Sequence, residues 1–69
     1  MNREEVESTV LKSVGYDSAT QILEIEFQST EVYQYQDIPQ EIYAELLSAD
    51  SKGTYFNDNI RDAYPTEKL

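Results

Sequence analysis

The segment Leu23-Glu24-Ile25-Glu26-Phe27 alternates apolar and acidic side chains with a period of two. Successive side chains of a strand point to opposite faces, so this run has one apolar face and one polar face. A few residues on, Tyr33 and Tyr35 alternate with Gln34 and Gln36 in the same way. The polar stretch 28–31 between them has hairpin length, and a hairpin turns both apolar sets toward one core. Pairing Gln28 with Val32 gives a three-residue turn, with Phe27 opposite Tyr33 and Ile25 opposite Tyr35. Such cross-strand pairs contribute about 0.2–1 kcal/mol each. The rest of the chain has to arrange itself around this hairpin.

Upstream, residues 8–16 read as a strand in which Val10, Val14 and Tyr16 share a phase and Leu11 does not. A β-bulge near Lys12 and Ser13 brings Leu11 and Val14 to the same side. The polar turn 17–20 joins this strand to the next. Downstream, Pro39 cannot donate to a ladder but suits the first turn of a helix. Residues 39–49 then carry an apolar stripe of Ile42, Tyr43, Leu46 and Leu47. Asp50 and Ser51 break that helix and cap a second one over 52–61, whose inner side is Tyr55, Phe56 and Ile60. The expected fold is α+β: a three-stranded antiparallel meander with two C-terminal helices packed on one face. Residues 1–7 read as a flexible leader, 8–65 as a single domain, and 66–69 as a tail.

Composition limits the chemistry. The chain has no cysteine and no histidine, which removes thiolate nucleophiles, disulfides, the usual zinc sites and histidine-based triads. No apolar run approaches the roughly 18 residues of a membrane helix. We expect a cytoplasmic domain with no cofactor, no metal and no membrane partner. Its 14 acidic and 5 basic side chains give a formal charge of -9. A surface of that sign repels nucleic acid and other polyanions, whose binders carry basic footprints.

Four groups of residues invite a functional reading. Ser51, Lys52 and Gly53 open the second helix, where free backbone amides attract anions; the plain structural alternative is an N-cap and a tight turn. Asn57, Asn59 and Arg61 make the second group, in which Asn57 and Arg61 lie an i, i+4 step apart and offer a fork for phosphate or carboxylate; the alternative is an ion pair between Arg61 and Asp58 or Asp62. Together Ser51, Lys52, Gly53, Asn57 and Arg61 form the candidate anion- or partner-binding set. Tyr33 and Tyr35 could stack on bases if exposed, but their phase places them in the core with hydroxyls at the rim. Glu24 and Glu26 share a face, yet acid–base work needs a carboxyl of raised pKa, and a solvated strand face does not provide one. No hydroxyl has a base beside it, so no catalytic residue is assigned.

Several of these segments together resemble the KTSC domain family. They are Ser13-Val14-Gly15-Tyr16-Asp17, Leu23-Glu24-Ile25-Glu26-Phe27, Val32-Tyr33-Gln34-Tyr35, Ile38-Pro39 with Ile42-Tyr43, Ser51-Lys52-Gly53-Thr54-Tyr55-Phe56-Asn57, Ile60-Arg61 and Tyr64-Pro65. The resemblance implies a domain found at the C-terminus of some lysyl-tRNA synthetases and as small stand-alone bacterial proteins. It brings no catalytic set, and its synthetase context suggests RNA. Members often have glycine in the turn before the paired tyrosines, where this chain has Ser29-Thr30-Glu31. Residues and resemblance together lead us to expect a small non-catalytic binding module that contacts a protein. The alternative is an RNA- or tRNA-associated accessory domain, which the charge disfavours.

Overall fold

The computed structural model describes residues 1–69. In chain order the elements are β1 (Glu4–Glu5), β2 (Leu11–Asp17), β3 (Ile22–Phe27), β4 (Val32–Tyr35), α1 (Gln40–Ser48), α2 (Lys52–Asn59) and β5 (Thr66–Lys68). All five strands form one antiparallel sheet in sequential order. The α+β class and the two helices agree with the sequence; the three-stranded meander does not.

The extra strands come from the ends read as leader and tail. Glu4 and Glu5 pair with Val14 and Ser13, and 66–68 pair with β4. Both strands are wholly exposed. They are held by backbone bonds and leave no apolar alternation in the sequence. Gln36 N–H donates to the Pro65 carbonyl at 2.9 Å, and Leu69 N–H to that of Val32 at 2.9 Å. Two short edges of this kind limit further strand pairing.

The alternation of β3 and β4 survives, but the register is two residues away from the expected one. Ile25 faces Tyr33 and Leu23 faces Tyr35. The loop is 28–30: Phe27 N–H donates to Glu31 O (2.9 Å) and Thr30 N–H to Phe27 O (2.8 Å). Thr30 takes the left-handed position with φ 74°, where such loops usually place glycine. A slip of two keeps every side chain on its face, so periodicity alone cannot detect it. The bulge falls where expected, between Leu11 and Ser13. It buries Leu11 and Val14 completely.

One side of the sheet carries the core. Leu11, Val14, Leu23, Ile25 and Tyr35 meet Ile38, Leu46, Phe56 and Ile60. Burying an aliphatic side chain of this size contributes about 1.5–3 kcal/mol. Tyr16 stacks on Tyr43 of α1 at 4.8 Å and donates to the Ile38 carbonyl at 2.6 Å. That bond fixes the link between sheet and helix. Tyr55 of α2 donates to Glu45 of α1 at 2.9 Å, tying the helices together.

The opposite face is less open than the alternation predicts. Glu24 is only 7% exposed because the N-terminal segment lies across it. Arg3 donates to Glu24 at 2.5 Å and to Ser13 at 3.1 Å, and Gln34 donates to Glu24 at 2.9 Å. Gly15 lies beneath: a Cβ there would stand 2.5 Å from the Asn2 carbonyl oxygen and 3.1 Å from Arg3 Cγ. An isolated glycine inside a strand is the sequence mark of such a close approach.

Candidate functional site

The helices leave part of the core face open along β4. A groove of about 670 Å³ runs between α2 and the β3–β4 hairpin. Its floor is Tyr35 and Phe56, 3% and 2% exposed. Half-buried Phe27 and Tyr33 stand beside them. The rings meet largely edge to face: Phe27 with Tyr33 at 5.6 Å, Phe27 with Phe56 at 5.4 Å, and Tyr35 with Phe56 at 5.3 Å. Aromatic pairs prefer this geometry, and it locks the groove wall. Tyr33 and Tyr35 thus serve as core material bordering a groove, in line with the phase argument.

Polar groups define the rim. Asn57, Arg61 and Asp62 line the side of the groove formed by α2 and the turn that follows it; Ser29 and Glu31 line the hairpin side. Glu31 is held by Lys68 at 2.7 Å, and that hydrogen bond and charge draw its carboxyl below the usual range. Arg61 has no ion pair, so the pairing expected with Asp58 or Asp62 is not formed. Burial, with Tyr33 close by, pushes the Tyr35 phenol up to about 12.

The five candidate residues divide into two places. Asn57 and Arg61 come together on the groove. Ser51, Lys52 and Gly53 lie at the start of α2 and serve the fold. The Ser51 hydroxyl accepts from Thr54 N–H at 3.3 Å as an N-cap. Lys52 Nζ donates to the Ala49 carbonyl at 3.3 Å. Gly53 is buried against Val10, whose Cγ2 would lie 3.0 Å from an added Cβ. The groove residues Phe27, Val10 and Thr66 were not singled out from the sequence as site residues. Their signal is topological, since β5 and the register of the hairpin had to be placed first.

Glu24 behaves as a structural carboxylate. Burial would raise its pKa, but hydrogen bonds from Gln34 and Arg3 and the nearby positive charges outweigh burial and lower it. That is the reverse of what a general acid needs. No helix is long and apolar enough to cross a membrane.

The fold and its sequence have clear relatives. A small uncharacterised protein of Stutzerimonas stutzeri is 47% identical over 57 residues, covering 83% of this chain and 80% of that protein. A lysine–tRNA ligase of Nostoc punctiforme is 40% identical over 63 residues, which is 91% of this chain and 11% of the ligase. The crystal structure of a KTSC domain protein from Yersinia pestis superposes with a TM-score of 0.96 at 34% identity, covering 99% of this chain and 96% of that one. The pattern of the KTSC domain itself matches residues 7–64, and the chain belongs to the KTSC domain family.

Proposed function

We propose that this KTSC domain is a non-catalytic, cytoplasmic protein-binding module whose aromatic groove receives a segment of a positively charged partner. The observation that carries this reading is the groove itself. It exposes part of an aromatic cluster on a domain of charge -9. Aromatic rings and arginine are the residue types that dominate protein interfaces. The net charge of -9 attracts a basic partner and speeds the encounter. The hydroxyl–carboxylate contact on the groove, Ser29 Oγ to Glu31 at 3.4 Å, is exposed, and Lys68 draws that carboxyl below its usual range, which makes it a poor base; Glu24 is held ionised in the opposite face.

A second reading, RNA association, has one specific support: relatives of this domain form part of lysine–tRNA ligases. Of the five basic side chains, Arg3 and Lys68 are tied to carboxylates and Lys52 to a carbonyl. That leaves too little free positive charge for a phosphate track.

Titration with fluorescent tRNA and single-stranded RNA near physiological salt separates the two. The protein-binding reading predicts no association tighter than about 10⁻⁴ M, the weak end of non-specific affinity. Micromolar RNA binding with a steep salt dependence, lost on Arg61→Glu, would replace it with the RNA reading.

A further inference from the structure

At one side of the groove, two strong donors stand without partners. Arg61 is one. The chain has 14 acidic side chains, and Asp58 and Asp62 are close in sequence, yet only Arg3 and Lys68 form ion pairs. The second is Tyr35. The residue is 3% exposed and borders the groove. Its hydroxyl makes no hydrogen bond within the chain, whereas those of Tyr16 and Tyr55 do. No fully buried side-chain polar atom of the chain lacks a partner, so this unpaired hydroxyl is one that solvent reaches. Asn57 adds an amide to the same wall, which also carries the Asp62 carboxylate.

Guanidinium, phenol and amide N–H groups all donate, and a guanidinium fork matches a carboxylate in shape as well as charge. The ligand group that fits them is an anionic acceptor. The rings of Phe27, Tyr33 and Phe56 bound the same groove, so an apolar group belongs immediately beside that anion. A nucleic-acid phosphate brings a row of further charges toward a surface of charge -9. A lone carboxylate brings one.

Building on the protein-binding role proposed above, we infer that the groove reads the C-terminal residue of the partner. The free carboxylate sits on Arg61, Asn57 and the Tyr35 hydroxyl. The apolar or aromatic last side chain lies against Phe27, Tyr33 and Phe56. A C-terminal residue is the part of a protein that joins a carboxylate and an apolar side chain at one carbon.

The test is a titration of ¹⁵N-labelled protein with N-acetyl-leucyl-phenylalanine and with its C-terminal carboxamide, followed through backbone amide shifts. The acid is expected to shift Tyr33, Tyr35, Asn57 and Arg61 with a Kd of about 1 mM or tighter, as its size allows. The carboxamide is expected to bind about tenfold more weakly, having lost the charge-assisted bonds. Arg61→Gln, at an exposed side chain with no ion pair, should bring the acid to the carboxamide's level while leaving the remaining spectrum in place. Tyr35→Phe should weaken the acid more than the carboxamide. Equal binding of acid and carboxamide in the groove overturns carboxylate reading and leaves the groove as a protein site. Absence of shifts at these residues with both probes overturns the inference together with the groove's role. A short single-stranded RNA that shifts the same amides more strongly than the acid at equal concentration overturns it in favour of phosphate.

Discussion

Gly15→Ala isolates the contact that closes the polar face of the sheet. The new Cβ would stand 2.5 Å from the Asn2 carbonyl oxygen and 3.3 Å from its carbon. The obstacle is backbone, so a rotamer change cannot relieve it. The N-terminal segment must lift, and Arg3 must leave Glu24, Ser13 and Glu26. Hydrogen bonds to charged groups contribute about 1.5–3 kcal/mol, and Glu24, at 7% exposure, keeps only Gln34 as its close donor. Alanine gains about 0.4–1 kcal/mol by restricting the unfolded chain. The net expectation is a loss of about 1–2.5 kcal/mol, a large fraction of what a small domain has to lose. Urea unfolding followed by circular dichroism measures it, and Arg3→Met supplies the second arm of a cycle. Both substitutions break the same contact, so their costs should fall short of additivity by about 1 kcal/mol. A neutral or stabilising Gly15→Ala would refute the reasoning, as would costs that add within about 0.5 kcal/mol.

Further outcomes follow from single residues. Thr30→Gly should stabilise the domain by about 1 kcal/mol, because Thr30 holds φ 74° and a non-glycine residue there costs about 1–2 kcal/mol; equilibrium unfolding reads the change. The pKa of Glu24 is lowered in the fold, so its contribution is present above the unfolded carboxyl pKa and is lost as pH falls through the folded one. Glu24→Gln should therefore flatten the acid limb of a stability–pH profile. At the alkaline end the sign reverses: Tyr35 and Tyr55 are raised to about 12, so stability falls as pH climbs from the unfolded phenol value toward the folded one. Ultraviolet titration of the six tyrosines should show a late phase, losing one phenol with each of Tyr35→Phe and Tyr55→Phe.

What the sequence reveals and what it hides follow from where side chains are buried. The apolar phase of Leu23, Ile25, Tyr33 and Tyr35 and the stripe of Ile42 and Leu46 exist because those residues meet one core, so pattern reading finds them. The Ser51 cap and the bulge near Lys12 also have local signatures. The strands at Glu4–Glu5 and Thr66–Lys68 bury no side chain, and backbone pairing alone writes nothing into composition. The hairpin register escapes because an even slip preserves the faces, and Thr30 stands where a glycine would have marked the turn. Glu24 looked solvated because Arg3 reaches it from 21 residues away; Gly15 was the one hint. Asn57 and Arg61 were legible as a pair, but the groove they border also needs β5 and the true register of the hairpin, which no local pattern announces.

The groove's role is tested most directly by site-specific photo-cross-linking in cells of the native host. A photoreactive side chain at Ser29 or Thr66, both on the groove rim, is compared with one at Gln40, at the start of α1 and away from the groove. The account predicts a discrete protein adduct from the rim positions, absent at Gln40 and lost when Arg61→Gln is combined with Tyr33→Asp. Adducts to RNA from the rim, or protein adducts equally strong from Gln40 and unaffected by the groove substitutions, would contradict it.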